Sequence, residues 1–77
     1  MTNFQHFQSG DPIRITYKGR TIQGVVYDAS GNGRSLMLIF EAMLGGYVGR
    51  MPVLYKEDEQ EFVDLIEDQP VILERLT

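Results

Sequence analysis

The chain has 77 residues, enough to enclose one small hydrophobic core, so we expect a single domain. It has no cysteine and one histidine, which excludes disulfide bridges and a zinc site built from Cys and His ligands. The formal net charge is -4, no apolar run is long enough to span a membrane, and no secretory leader pattern is present. We therefore expect a small acidic, cytoplasmic protein without membrane contacts.

The first nine residues differ in character from the rest. Residues 1–9 are polar apart from Phe4 and Phe7, which predicts an N-terminal arm that is either flexible or caps one end of the fold. The Gly-Asp-Pro sequence at 10–12 ends this arm, because proline fixes its own φ angle and disfavours a helical residue before it. We place the folded domain at residues 10–77.

Six short apolar runs separated by turn residues fill this domain, and none of them has the apolar stripe of a helix. The runs cover residues 13–17, 20–29, 36–40, 51–55, 61–66 and 70–76. Short strands at this spacing predict an all-β fold, a small, strongly bent antiparallel barrel of five or six strands. Within the second run, Gly24 predicts a bulge or a sharp bend, since glycine weakens a regular strand. The third run is apolar on both faces, which predicts a central strand or a strand with one face against another chain.

Residues 10–26 resemble the first strand, the turn and the bent second strand of SH3-like barrels, including the KOW type of ribosome- and transcription-associated proteins. The residues that carry this likeness are Gly10, Ile13, Ile15, Gly19, Gly24 and Val26. The resemblance implies a bent sheet of five or six strands, a fold that often holds RNA or a peptide. The chain departs from RNA-binding members in its acidic balance, so the resemblance carries over no binding residue.

No group of residues in the sequence has the pattern of a catalytic or metal site. The single histidine, His6, lies in the N-terminal arm, away from any candidate nucleophile. The carboxylates of 57–61 lack the ligand order and the central glycine of a calcium loop. The glycines of 31–33 and 45–49 lack the lysine and the following helix of a phosphate-binding loop. We therefore predict a protein that is not an enzyme and uses no cofactor or metal.

Charge is divided unevenly along the chain. Residues 1–56 contain six basic and three acidic side chains, whereas residues 57–77 contain eight acidic side chains and one basic one. The acidic C-terminal third either keeps a small protein soluble or forms a face opposite to a basic one. Sequence alone leaves both interpretations open.

The segment 42–50 combines three glycines with several apolar side chains. The glycines predict a loop outside any strand, but the apolar residues are too many for an ordinary solvent loop. The segment either folds back as a lid over the barrel or packs against another protein or a second copy. We favour the second interpretation and predict a binding module that acts by protein–protein interaction or self-association. Its predicted contact residues are Met43, Leu44, Tyr47 and Arg50.

An alternative function is binding of RNA or DNA by an SH3-like module. Basic residues flank the first three predicted strands, and tyrosines could stack on bases if they shared a face. The predicted nucleic-acid contacts are Arg14, Lys18, Arg20 and Arg34. The acidic C-terminal third would repel phosphates unless it faced away from them.

Overall fold

The computed structural model describes residues 6–76, and within this range it contains six β-strands and no helix. The strands are β1 (Pro12–Tyr17), β2 (Arg20–Ser30), β3 (Ser35–Leu44), β4 (Tyr47–Lys56), β5 (Glu61–Asp64) and β6 (Pro70–Arg75). Each strand pairs antiparallel with the next, and β1 also pairs with β6, so the sheet closes into a barrel. The predicted all-β class and small antiparallel barrel are confirmed, with six strands.

Strict alternation of side chains explains the first strand. Ile13, Ile15 and Tyr17 are buried inside the barrel, while the residues between them face outward. The strand ends at a two-residue turn in which Lys18 and Gly19 both have positive φ angles, 51° and 79°. Two such residues match the right-handed twist of a hairpin, so the turn leads directly into β2.

β2 pairs with different strands along its two halves. Its first half pairs with β1 as far as Val25, and from Val25 onward it pairs with β3. Gly24 lies at this change of partner, where a Cβ atom would lie 2.5 Å from the carbonyl oxygen of Ile39 and 2.9 Å from Cδ1 of Ile15. The irregularity in the β2–β3 register falls slightly later, between Val26 and Asp28. Gly24 therefore leaves no room for a side chain against β1 and β3, and the bulge lies beyond it.

The expectation that residues 42–50 stay outside the strands is wrong. These residues form the end of β3, a short turn at Gly45 and Gly46, and the start of β4. Gly45 takes a φ of 62° in that turn, and Gly49, with a φ of 81°, lies opposite the irregular part of the β3–β4 register. The glycines therefore serve positions that need unusual backbone geometry, and the residues between them remain in the antiparallel pairing.

Residues of the described chain cover both ends of the barrel. At one end the ring of Phe7 is buried and meets the edge of Phe62, with the ring centres 6.0 Å apart. The guanidinium of Arg75 lies 5.2 Å from the centre of the Phe7 ring. Phe4, the other aromatic of the predicted arm, lies outside the described residues. At the opposite end, the β3–β4 turn packs against Tyr17, because a Cβ on Gly45 would lie 2.6 Å from that ring.

Candidate interaction face

The outward side of the sheet formed by β2, β3 and β4 is largely apolar. The inner side chains of β3 and β4, such as Leu38 and Met51, are fully buried, and alternation sends their neighbours outward. Val48, Met43 and Leu54 are 70%, 59% and 43% exposed. We call this surface the outer face and define it by Val25, Met37, Ile39, Met43, Val48, Arg50, Pro52 and Leu54.

The register of the strands makes the outer face continuous. Met37 pairs with Pro52, Ile39 pairs with Arg50, and Met43 pairs with Val48 across the β3–β4 hairpin. On the other side of β3, Val25 of β2 pairs with Ile39. Directly paired residues on one face of a sheet are neighbours, so these side chains form one surface. Contiguous exposed apolar surface of this kind is typical of an interaction site.

Arg50 is the charged residue in the middle of the outer face. All seven Lys and Arg residues lie in the described part of the chain, and five of them form ion pairs with carboxylates. Arg50 and Arg20 form none within residues 6–76. Arginine is favoured at interfaces because its planar guanidinium binds a carboxylate through two parallel hydrogen bonds. Arg50 is therefore available to an acidic group on another molecule.

A shallow groove borders the outer face where β2 turns away from β3. Its volume is about 460 Å³. The lining residues are Pro12, Gln23, Gly24, Val25, Ile39, Phe40, Glu41 and Leu76. Glu41 is exposed and, like Arg50, has no ion-pair partner in residues 6–76. Asp28 of β2, which pairs with Met37, is also exposed and without an ion pair in residues 6–76. The outer face thus has one unpaired cation within it and two unpaired anions at its borders.

The structure separates the four predicted partner contacts into two pairs. Met43 and Arg50 lie on the outer face, whereas Leu44 and Tyr47 point into the barrel and are 0% and 7% exposed. The predicted placement of Leu44 and Tyr47 on a binding surface is corrected by this burial. The physical reason is the two-residue period of a strand, which sends adjacent residues to opposite faces. Binding through Met43 and Arg50 stays a prediction.

Three of the four predicted nucleic-acid contacts form ion pairs with carboxylates. Nη1 of Arg14 lies 2.6 Å from Oε1 of Glu74, and Lys18 and Arg34 pair with Glu67 and Glu57. Arg20 alone among the four has no ion pair in the described residues.

The same ion pairs bear on the uneven charge of the chain. Acids of the C-terminal third pair with Arg14, Lys18, Arg34 and Lys56 from earlier in the chain. The acidic third is therefore interleaved with the basic residues at these places and does not face away from them. Such exposed pairs add little stability, but they reduce the positive charge available to a phosphate backbone.

Among the eight acids of residues 57–77, Asp64 is buried, which the sequence pattern does not reveal. The side chain of Asp64 is fully buried and accepts four hydrogen bonds. Oδ2 accepts from the Tyr47 hydroxyl at 2.7 Å, the Glu67 N–H at 2.8 Å and the Ile66 N–H at 3.2 Å, and Oδ1 accepts from the Gln69 N–H at 2.8 Å. Burial alone would raise the pKa of Asp64, but these donors outweigh it and lower the pKa to about 2. The available signal was an Asp that begins a turn, since such residues often bind backbone N–H groups just after them.

The arrangement of Asp64 is structural. All four of its donors belong to this chain, and no group of three His, Cys, Asp or Glu residues within 6–76 could hold a metal ion. We therefore take the outer face, and not the Asp64 cluster, as the candidate site.

The described residues also contain no helix that is long and apolar enough to cross a membrane.

Fold and surface together define a small closed antiparallel β-barrel with an apolar outer face. Comparisons of the chain with protein-family models, with curated proteins and with solved structures gave no match.

Proposed function

We propose that this protein is a non-enzymatic β-barrel binding module that acts through protein–protein contact, either with another protein or with itself. The observation that carries the proposal is the outer face, where exposed Met43, Val48 and Leu54 lie on the same side of the sheet as an arginine without an ion-pair partner in residues 6–76. Apolar side chains with methionine and arginine are the composition of the central part of an interface.

The inner and outer sides of β3 and β4 support the same proposal. The inner side chains already form the core of the barrel, so the fold does not need the outer ones to be apolar. A purely solvent-facing side of an antiparallel sheet is usually polar, with polar and apolar residues alternating along each strand. Here most outward side chains are apolar as well, which favours a second molecule on the outer side.

The likeness of residues 10–26 to SH3-like barrels fits this role, because such barrels often bind peptides or RNA. The SH3-like assignment and a cytoplasmic location stay predictions. The nucleic-acid alternative has weaker support, since Arg14, Lys18 and Arg34 are paired with carboxylates.

The test is a double variant, Met43→Ser with Val48→Ser, which leaves the buried side of the hairpin unchanged. Its matched control is Ile72→Ser, which replaces a 63% exposed side chain on β6, outside the outer face. Association is measured by sedimentation velocity for self-association and by pull-down for other proteins, with thermal melting as a check on folding. We expect the double variant to weaken association about tenfold or more and the control to leave it unchanged.

Two results would contradict the proposal. One is association that is equally strong in the double variant. The other is a nucleic-acid gel shift that weakens steeply with salt and is lost on Arg20→Gln, which would favour the nucleic-acid module.

A further inference from the structure

We propose that the occupant of the outer face is a second copy of this chain, related by a twofold axis, with Arg50 of each copy paired to Glu41 of the other. This inference rests on the proposed function, because it names the partner of the same face. The observation behind it is that Arg50 on the face and Glu41 at its border carry opposite charges, and that both are exposed and without ion pairs in residues 6–76.

The positions of the two charges suit a twofold contact. Ile39 on β3 lies opposite Arg50 on β4, and Glu41 follows Ile39 by two residues along the same strand. In a twofold dimer the same patch is used by both copies, so each contact between two different residues occurs twice. A surface that contains both signs of charge is complementary to itself when two copies meet in opposite directions. One Arg50–Glu41 contact therefore implies a second, symmetric one.

A partner of a single charge sign would fit this surface less well. An acidic partner would bind Arg50 and repel Glu41, and a basic partner would do the reverse. A second copy supplies a carboxylate for Arg50 and a guanidinium for Glu41 in one arrangement. The charge pattern therefore favours self-association over a partner with a strongly acidic or strongly basic surface.

The apolar part of the face and the size of the chain agree with a dimer. Met43, Val48 and Leu54 would be covered by their counterparts, which removes the exposed apolar surface from water. The accessible surface of the described chain is 4921 Å². A standard interface takes about 800 Å² from each partner, roughly one sixth of that surface, which the side of one three-stranded sheet can supply. A small domain without disulfides also gains stability from association.

The experiment uses charge reversal, with sedimentation velocity of the full chain over a range of concentrations. Arg50→Glu and Glu41→Arg each place like charges opposite one another at both symmetric contacts, so each variant alone should raise the dimer dissociation constant about tenfold or more. An equimolar mixture of the two variants should restore dimerisation, because each contact then joins opposite charges. Arg20→Glu, which reverses the other cation without an ion pair, is the matched control and should dimerise as the wild type does.

Native mass spectrometry of the mixture identifies the restored species, which should contain one copy of each variant. Thermal melting of each variant checks that it folds, as expected for exposed residues. The proposal is overturned if the wild type stays monomeric up to millimolar concentration, or if the mixture does not form the mixed dimer. A monomeric wild type whose capture of another protein is lost in the Met43→Ser, Val48→Ser variant overturns only the second copy as partner. Absence of any association that depends on the outer face overturns the proposed function as well.

Discussion

The hydroxyl of Tyr47, at the start of β4, donates a hydrogen bond of 2.7 Å to Oδ2 of Asp64, at the end of β5. Both side chains are buried, and the Asp64 carboxylate is also bound by N–H groups of the β5–β6 turn. This single bond therefore joins the β3–β4 turn to the β5–β6 turn across one end of the barrel. Tyr17 packs its ring edge against Tyr47, with the ring centres 6.0 Å apart, and completes the cluster.

We predict that Tyr47→Phe destabilises the barrel by about 1.5–3 kcal/mol, the usual range for a hydrogen bond to a charged group. The variant keeps the ring and its packing but removes a donor from a buried carboxylate, which then lacks part of its compensation for burial. Urea denaturation at neutral pH measures the effect. Tyr27→Phe is the control, because Tyr27 is 65% exposed and the loss of its hydroxyl should leave stability unchanged. Equal stability of the two variants would show that the Tyr47 bond contributes nothing.

We predict that stability falls as the pH drops from about 4 to about 2 and that Asp64 accounts for much of the loss. The pKa of Asp64 is about 2 in the folded protein, against an ordinary value of 3.8. Because the pKa of Asp64 is lower in the folded than in the unfolded protein, its ionised form stabilises the fold at pH values above the unfolded pKa. This contribution is lost as the pH falls to the folded-state pKa. A difference of this size corresponds to about 2 kcal/mol.

The check is urea denaturation over this pH range for the wild type and Asp64→Asn. The variant should be less stable at neutral pH, because an amide presents N–H groups where the carboxylate accepted hydrogen bonds, and its stability should change less between pH 4 and pH 2. Asp58→Asn, in the exposed β4–β5 turn, is the control and should retain the wild-type acid dependence. An unchanged acid dependence in Asp64→Asn would contradict the assignment.

The strands that obey strict alternation were predictable from sequence, because burial follows directly from a two-residue period. Ile13, Ile15 and Tyr17 fall inside the barrel as that period requires. The segment around Gly45 was not predictable in the same way. Taken together, its glycines indicate a loop, whereas only Gly45 and Gly46 form the turn and Gly49 lies within β4 opposite an irregular register.

The polar contacts depended on register, which sequence alone does not give. Asp64 is buried because the β5–β6 turn folds over it and because Tyr47 reaches it from another hairpin. The pairing of Arg14 with Glu74 likewise requires β1 to lie beside β6, which closes the barrel. Contacts between residues this far apart in sequence follow from the closed topology and not from any local pattern.

We predict that Gly24→Val destabilises the barrel by roughly 1–3 kcal/mol, despite the preference of valine for strands. The added Cβ would meet the backbone oxygen of Ile39 at 2.5 Å, and a backbone atom in a paired strand cannot move aside cheaply. Gly46→Ala is the control, because a Cβ there has no atom within 4 Å. Thermal melting and urea denaturation measure both variants. A Gly24→Val protein as stable as the wild type would show that β2 and β3 can separate at this point without cost.

The last prediction separates the two sides of the β3–β4 hairpin by changing two adjacent residues. Leu44 is fully buried and Met43 is 59% exposed, so Leu44→Ala should cost about 2–5 kcal/mol, while Met43→Ala should change stability by about 0.5 kcal/mol or less. Association should respond in the opposite order, because Met43 lies on the outer face and Leu44 has no surface to offer a partner. Urea denaturation gives the stabilities, and sedimentation velocity under conditions where both variants are folded gives the association. If Met43→Ala left association intact while folded Leu44→Ala abolished it, the outer face would not be the binding surface.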